Sequence, residues 1–282
     1  MSFKNTSRVI FKGVWRDLIG YSRYKANLFG WFLEIVSLTL GFIVIGGAYN
    51  FNPELYAIAG LEGSDVFLFM MIGTAIQMFS GIATWGPLIR VEEDIHFGTI
   101  ESVFVSPASR LGYLLSTTIA RAIVSFIFFI PLYIVSLALT GNLTNLVAIG
   151  YTLLISLTSI ISLMSAGLFF GMLAILFRQT RLFVTVLHQL IQFLCGAYIP
   201  VQGFVLIHPI AGSVLKYIAM AFPFTYNFDL MRYFMIENYV PLLPIWAEFV
   251  IILGCTVFYV ILARLVLIPV ERKAKQQGLS KL

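Results

Sequence analysis

Val91-Glu92-Glu93-Asp94-Ile95-His96-Phe97-Gly98-Thr99-Ile100-Glu101-Ser102-Val103-Phe104-Val105-Ser106-Pro107 is an acidic island between two long apolar runs, 66–89 and 110–140. The contrast decides the fold. Apolar runs of about 20 residues or more match a ~30 Å hydrocarbon core crossed by helices. Barrel strands would be ~10 residues long and would alternate in polarity. Backbone groups in lipid must be satisfied within their own segment, so each run reads as a helix. The island reads either as a solvated loop or as a short amphipathic helix at a membrane surface that docks a cytoplasmic protein. Ile95, Ile100, Val103 and Phe104 supply an apolar side at helical spacing, and Glu92, Glu93, Asp94 and Glu101 supply a wet side. Gly98-Thr99 breaks its middle and Ser106-Pro107 stops it.

Composition agrees. Of 282 residues, 60% are hydrophobic and 11% charged, against roughly 25% charged in soluble domains. The expected fold class is an all-α integral membrane protein forming one transmembrane permease domain over 1–282. Six spans are expected at about 30–49, 66–89, 110–140, 146–176, 182–206 and 245–268. Residues 1–29 read as an interfacial helix, with Ile10, Val14, Leu18, Tyr21 and Leu28 on one side and Lys12, Arg16 and Arg23 opposite. A signal peptide fits poorly, because the basic region is long and Glu34 interrupts the next apolar run. The segment 208–243 holds Pro209, Pro223 and Pro241 and an apolar stretch too short to span, so it reads as a re-entrant or interfacial helix pair. Residues 269–282 are expected as a tail.

The net charge is +5, but its placement argues against nucleic acid. With the N-terminus in the cytoplasm, fifteen of the 18 Lys and Arg fall on that side. Lys216 and Arg232 fall outside and Arg121 within the third span. The bias places both termini inside a multi-pass protein of the cytoplasmic membrane, and it puts the island in the cytoplasm. Cys195 and Cys255 lie in apolar runs and read as small buried hydrophobes. No Cys/His cluster has zinc spacing, so no metal site is expected.

Polar residues within the spans leave alternatives open. Arg121 either faces a pathway or snorkels to the interface. Thr185, His188 and Gln192 share one face of the fifth span, beside Gln189. They either line a cavity or hydrogen-bond a neighbouring helix. Gln77 and Thr84 in the second span carry the same two readings. Glu34 reads as snorkelling rather than ion-binding. Gly167-x-x-x-Gly171 with Ser159, Ser162 and Ala166 makes a small-residue face suited to close helix packing. Trp31, Tyr49, Trp85 and Trp246 read as interfacial anchors.

Gly98-Thr99-Ile100-Glu101 just after the acidic Glu92-Glu93-Asp94, followed by Val-Ser-Pro-Ala-Ser-Arg at 105–110, resembles the membrane subunit of the type-2 ABC transporter family. Gly196-Ala197-Tyr198-Ile199-Pro200 and Phe222 to Arg232 are similar to that family's fifth span and outer re-entrant helices. The resemblance implies that the island at 91–107 is a coupling helix docking an ATPase subunit through Glu92, Glu93, Asp94, Phe97, Gly98, Thr99, Ile100 and Glu101. It implies that Gln77, Thr84, Thr185, His188 and Gln192 line a central pathway. It places Tyr198, Pro200, Pro223 and Tyr226 at an outer gate.

The chain has no Gly-x-x-x-x-Gly-Lys-Ser/Thr phosphate loop, so it is expected to bind no cofactor and to catalyse nothing itself. ATP and Mg would sit on a partner ABC ATPase subunit, and a second copy of the permease would complete a homodimer in the lipid bilayer. The expected activity is export of a hydrophobic or amphipathic substrate: a drug, a lipid or a lipid-linked glycan. The alternative is an ATP-independent secondary transporter or channel, which would want paired ionisable groups near the midplane. No carboxylate in the sequence stands clearly at that depth. A membrane enzyme would need a clustered His/Asp/Glu set, which His96, His188 and His208 do not form.

Overall fold

The computed structural model describes residues 3–26, 28–30, 32–33, 36–37, 40–41, 53–62, 65–99, 102, 109–139, 141–176 and 181–277. Every regular element among the described residues is helical. Four helical stretches, Asp65–His96, Arg110–Leu139, Leu146–Leu173 and Ile245–Pro269, are long and apolar enough to cross a membrane. The expected first span at 30–49, with Trp31, Glu34 and Tyr49, lies mostly outside the described residues.

Helix α1 (Phe3–Arg23) is amphipathic. Its Ile10, Val14, Leu18 and Tyr21 are half-buried, while Arg8, Phe11, Lys12, Trp15 and Arg16 are exposed. A Cβ on Gly13 would run into the Ser116 side chain of the Arg110–Leu139 helix, so the two helices cross at nearly backbone distance. After the short α2 (Pro53–Ala57), α3 (Asp65–Thr84) forms the centre of the bundle. Phe69, Ile72, Ile76, Phe79 and Ile82 are all buried. A helix apolar on every side is stable only inside other helices. α4 (Gly86–His96) prolongs it with little break: Trp85 N–H donates to the Gly81 carbonyl and Ile89 N–H to the Trp85 carbonyl. Pro87 cannot donate to the carbonyl four residues back, which marks the junction.

α5 (Arg110–Leu139) and α6 (Leu146–Leu176) occupy the third and fourth runs and form a hairpin around the 3₁₀ turn Asn142–Thr144. Asn145 Oδ1 accepts from Ala148 N–H at 3.2 Å and starts α6. The small face of α6 packs as its composition suggested. Ser156, Ser159, Ser162 and Ala166 are buried, and a Cβ on Gly171 would come within 2.6 Å of Pro87. The outer faces of α5 and α6 carry exposed Ile and Leu, as lipid-facing helices do.

The fifth run differs from its expected 182–206. α7 (Arg181–Leu194) ends after 14 residues. Gly196 takes φ +86°, a left-handed conformation that glycine tolerates and that ends helices. The chain then turns through Pro200 and the 3₁₀ turn Val201–Gly203 into the short α8 (Phe204–Ile207). The segment 208–243 contains two helices, α9 (Pro209–Met220) and α10 (Pro223–Met235), each opening on a proline whose missing N–H costs nothing there. The last helix, α11 (Ile245–Gln277), continues past the expected end at 268 and through Pro269, and packs along α6.

Candidate functional site

The α3–α4 rod ends at His96. Glu93 is exposed and Glu92 half-buried, and exposed Ile95, His96 and Phe97 surround the tip, Phe97 at 73%. Gly98 turns the chain with φ +68°. The expected break at Gly98-Thr99 is therefore present. Ile100 and Glu101 lie outside the described residues, as do 103–108.

Asp94 corrects the sequence reading. It was expected on the wet side, but it is 3% exposed. Its Oδ1 accepts from Thr99 Oγ1 at 2.7 Å and pairs with Arg90 Nη2 at 2.8 Å, one turn back. Its Oδ2 accepts from the Tyr113 hydroxyl of α5. Helical periodicity explains the difference. Residues 87, 91 and 94 share the face that packs on the bundle, and 92, 93 and 96 do not. Asp94 therefore closes the turn and bolts it to α5. Arg90 also lies 3.5 Å from Glu93 and within the field of Asp17 on α1. Asp17 is in turn paired with Arg16 at 2.9 Å. The rod tip, α1 and the start of α5 thus form one charged joint.

Arg121 sits beside the α3–α4 junction. Its side chain lies against Gly81 and Gly86, where added Cβ atoms would come within 3.2 Å of it. It also hydrogen-bonds the Tyr21 hydroxyl of α1. Burial pushes the Tyr21 hydroxyl above the usual tyrosine range, so it stays neutral.

Gln77 and Thr84, two helical turns apart on α3, are both buried. Tyr198 donates its hydroxyl to Gln77 Oε1 at 2.8 Å. Thr84 Oγ1 lies 2.9 Å from His188 Nδ1, and the Trp85 ring meets the imidazole edge-on. Two residues expected in a pathway are thus tied to α7 and the turn after it. Trp85, expected as an anchor at the interface, is half-buried against His188. Thr185 is half-buried on α7. Gln192 lies on the same helix, with its side chain outside the described residues.

Of the outer residues, Pro200 is buried at the start of the 3₁₀ turn and Pro223 is buried as the first residue of α10. The Tyr226 hydroxyl donates to the Met220 carbonyl at 2.7 Å, closing the α9–α10 corner.

Sequence reasoning missed a buried polar cluster centred on α10. Arg232, counted among outward cations, is 1% exposed. It donates to the carbonyls of Phe69 at 3.1 and 3.2 Å, Gly196 at 2.5 Å and Ala197 at 2.7 Å. Its guanidinium caps the end of α7, and burial lowers it to about 10. Asp229, one turn back on α10, is buried near it, and Glu248, which interacts with Asp229, is buried as well. The available signal was Asp229 and Arg232 one turn apart in a Pro-bounded helix, and a single Glu opening the last apolar run. No group of three His, Cys, Asp or Glu fit to hold a metal occurs among the described residues.

No curated protein matches the chain. The family model for the ABC-2 type transporter matches residues 9–236, from α1 to the residue after α10. That match covers most of the chain and both the rod tip and the capped end of α7. The chain therefore belongs to the ABC-2 type transporter family, the membrane subunits of type-2 ABC transporters.

Proposed function

We propose that this chain is the membrane half of an ABC exporter, moving a drug, a lipid or a lipid-linked glycan across the cytoplasmic membrane. ATP hydrolysis on a separate nucleotide-binding subunit drives it, and both termini lie in the cytoplasm. Membership of the family makes the chain a multi-pass transmembrane component rather than an ATPase. One observation carries the finer reading. The helix of the central span runs on as α4 to an exposed tip of Glu93, Ile95, His96 and Phe97, and Asp94 locks that tip to α5. A push at the tip is delivered to α3 without a flexible link. The segment through Ile100 and Glu101 serves as the coupling helix in this reading. The driving energy is the difference in contact that the ATPase makes with the tip in its two nucleotide states.

A second copy of the chain completes the pathway. The face of α7 bearing Leu182, Val186, Leu190 and Phe193 is exposed in the single chain and apolar apart from Gln189, which suits a partner or lipid. The outward face of α1, with Phe11 and Trp15 between Arg8, Lys12 and Arg16, suits the headgroup region of an anionic bilayer.

The test is co-purification with an ABC ATPase, followed by Phe97→Ala and Glu93→Lys. Normal assembly of the membrane chain with loss of transport-coupled ATP hydrolysis supports the reading. Coupling that survives both changes rejects the tip as the docking surface.

A further inference from the structure

We propose that Asp229 and Glu248 form a proton-binding site, in which two buried carboxyls hold one proton between them and so tie α10 to α11 and to the link between them. Asp229, on α10, is 6% exposed, and Glu248, in the first turn of α11, is 0% exposed. Asp229 Oδ1 accepts from the Tyr239 hydroxyl at 2.5 Å, and its Oδ2 accepts from Leu242 N–H at 2.6 Å. Glu248 Oε1 accepts from Leu243 N–H at 3.0 Å. The link at 236–243 is thus held from both sides by neighbouring carboxyls.

Glu248 Oε2 has no donor among the described residues. The Glu248 and Asp229 carboxyl groups lie within reach of each other. Two ionised carboxylates repel each other there, and a hydrogen bond between them requires a proton on one. Charge balance asks for the same proton. Arg232 supplies one buried positive charge from the next turn of α10, and two carboxylates would leave a net negative charge in the interior. Uncompensated buried charge is among the costliest things a fold can hold. The proton belongs to the pair rather than to either residue.

The surrounding groups do not supply an alternative. Tyr239 already donates, and burial raises its hydroxyl well above the ordinary range, so it remains a donor. Tyr226 on α10 donates to Met220, and Cys255 lies on α11. Tyr56 on α2 donates to the Tyr198 carbonyl. α6 brings Tyr151, stacked on Phe234. α9 carries Lys216 and an exposed Tyr217, and α3 carries Asp65 at its first residue and the Phe69 ring, which lies against Arg232.

Burial also raises the Asp229 carboxyl above the usual carboxylate range. An acid raised in the folded state binds a proton on folding. Its contribution is fully present below the unfolded value and is lost as pH rises through the folded one.

Infrared spectroscopy on the full chain in lipid nanodiscs tests this directly. A carboxylic-acid carbonyl stretch at neutral pH is expected in the wild type. It is expected to vanish in Glu248→Gln and also in Asp229→Asn, because one proton serves both groups. In parallel, the wild type loses melting temperature as pH rises from about 7 to about 10, whereas Glu248→Gln, which keeps a donor and cannot titrate, loses markedly less. No acid band in the wild type overturns the proposal, and this measurement does not depend on any variant folding. A band that survives either single substitution, or an equal alkaline loss in Glu248→Gln, also overturns it.

Discussion

The guanidinium of Arg232 lies 3.4 Å from the centre of the Phe69 ring and donates to the carbonyl of the same residue. One side chain thus reads both the face and the backbone of a residue 163 positions away. The planar fork lets it reach Gly196 and Ala197 as well. Arg232→Lys keeps the charge and loses the fork. At least two buried carbonyls are then left without donors, at about 1–3 kcal/mol each. A drop of several degrees in the melting temperature of the detergent-solubilised chain is expected, with Arg232→Met lower still. An unchanged melting temperature for Arg232→Lys would show that the carbonyl contacts carry no weight.

Glu93 and Asp94 are adjacent acids with opposite duties. Asp94→Asn removes the charge facing Arg90 in a buried joint, and breaking such a pair costs about 3–5 kcal/mol. Glu93→Lys alters an exposed pair worth ~0–1 kcal/mol. Thermal melts are expected to separate the two, with Asp94→Asn clearly destabilised and Glu93→Lys near wild type. Partner ATPase assays are expected to show a defect in Glu93→Lys although its fold is intact.

Thr84 and His188 join α3 to α7 at 2.9 Å. A double-mutant cycle with Thr84→Val and His188→Leu is expected to show a coupling of about 0.5–1.5 kcal/mol. Additive losses would show that this contact carries no energy.

Gly13 lets α1 lie against Ser116 of α5. Gly13→Val forces the helices apart and is expected to expose α1 to protease before the rest of the chain, by at least tenfold in cleavage rate. Ser116→Ala in the same background is expected to restore only part of the protection, since the crowding extends to the Ser116 Cβ. Equal cleavage of Gly13→Val and wild type would mean that α1 is not held by this crossing.

Much of the fold was legible because lipid-facing helices advertise themselves. The runs at 110–140 and 146–176 became α5 and α6 within a residue, since length and apolarity suffice to define them. The split of 208–243 into two helices followed from Pro209 and Pro223. The fifth run was not legible, because its end depends on Gly196 being capped by Arg232 from another helix. Position 94 failed for a related reason. An acid in an acidic island looks solvated until the partner on α5, Tyr113, is brought to it. The polar stripes of the second and fifth spans were visible, but pattern alone could not choose between a cavity and a neighbour. In the folded chain Gln77 accepts from Tyr198 and Thr84 meets His188.

What the sequence determined by itself is a helical membrane protein with basic residues massed beside its span ends and an acidic tip between two spans. Those properties follow from the solvent, since water and lipid sort residues by polarity one segment at a time. The tertiary structure decided which charges are contacts and which are internal joints. Asp94, Asp229, Arg232 and Glu248 are buried because their partners arrive from distant helices, and desolvation makes an ion's role depend on what surrounds it rather than on its own identity.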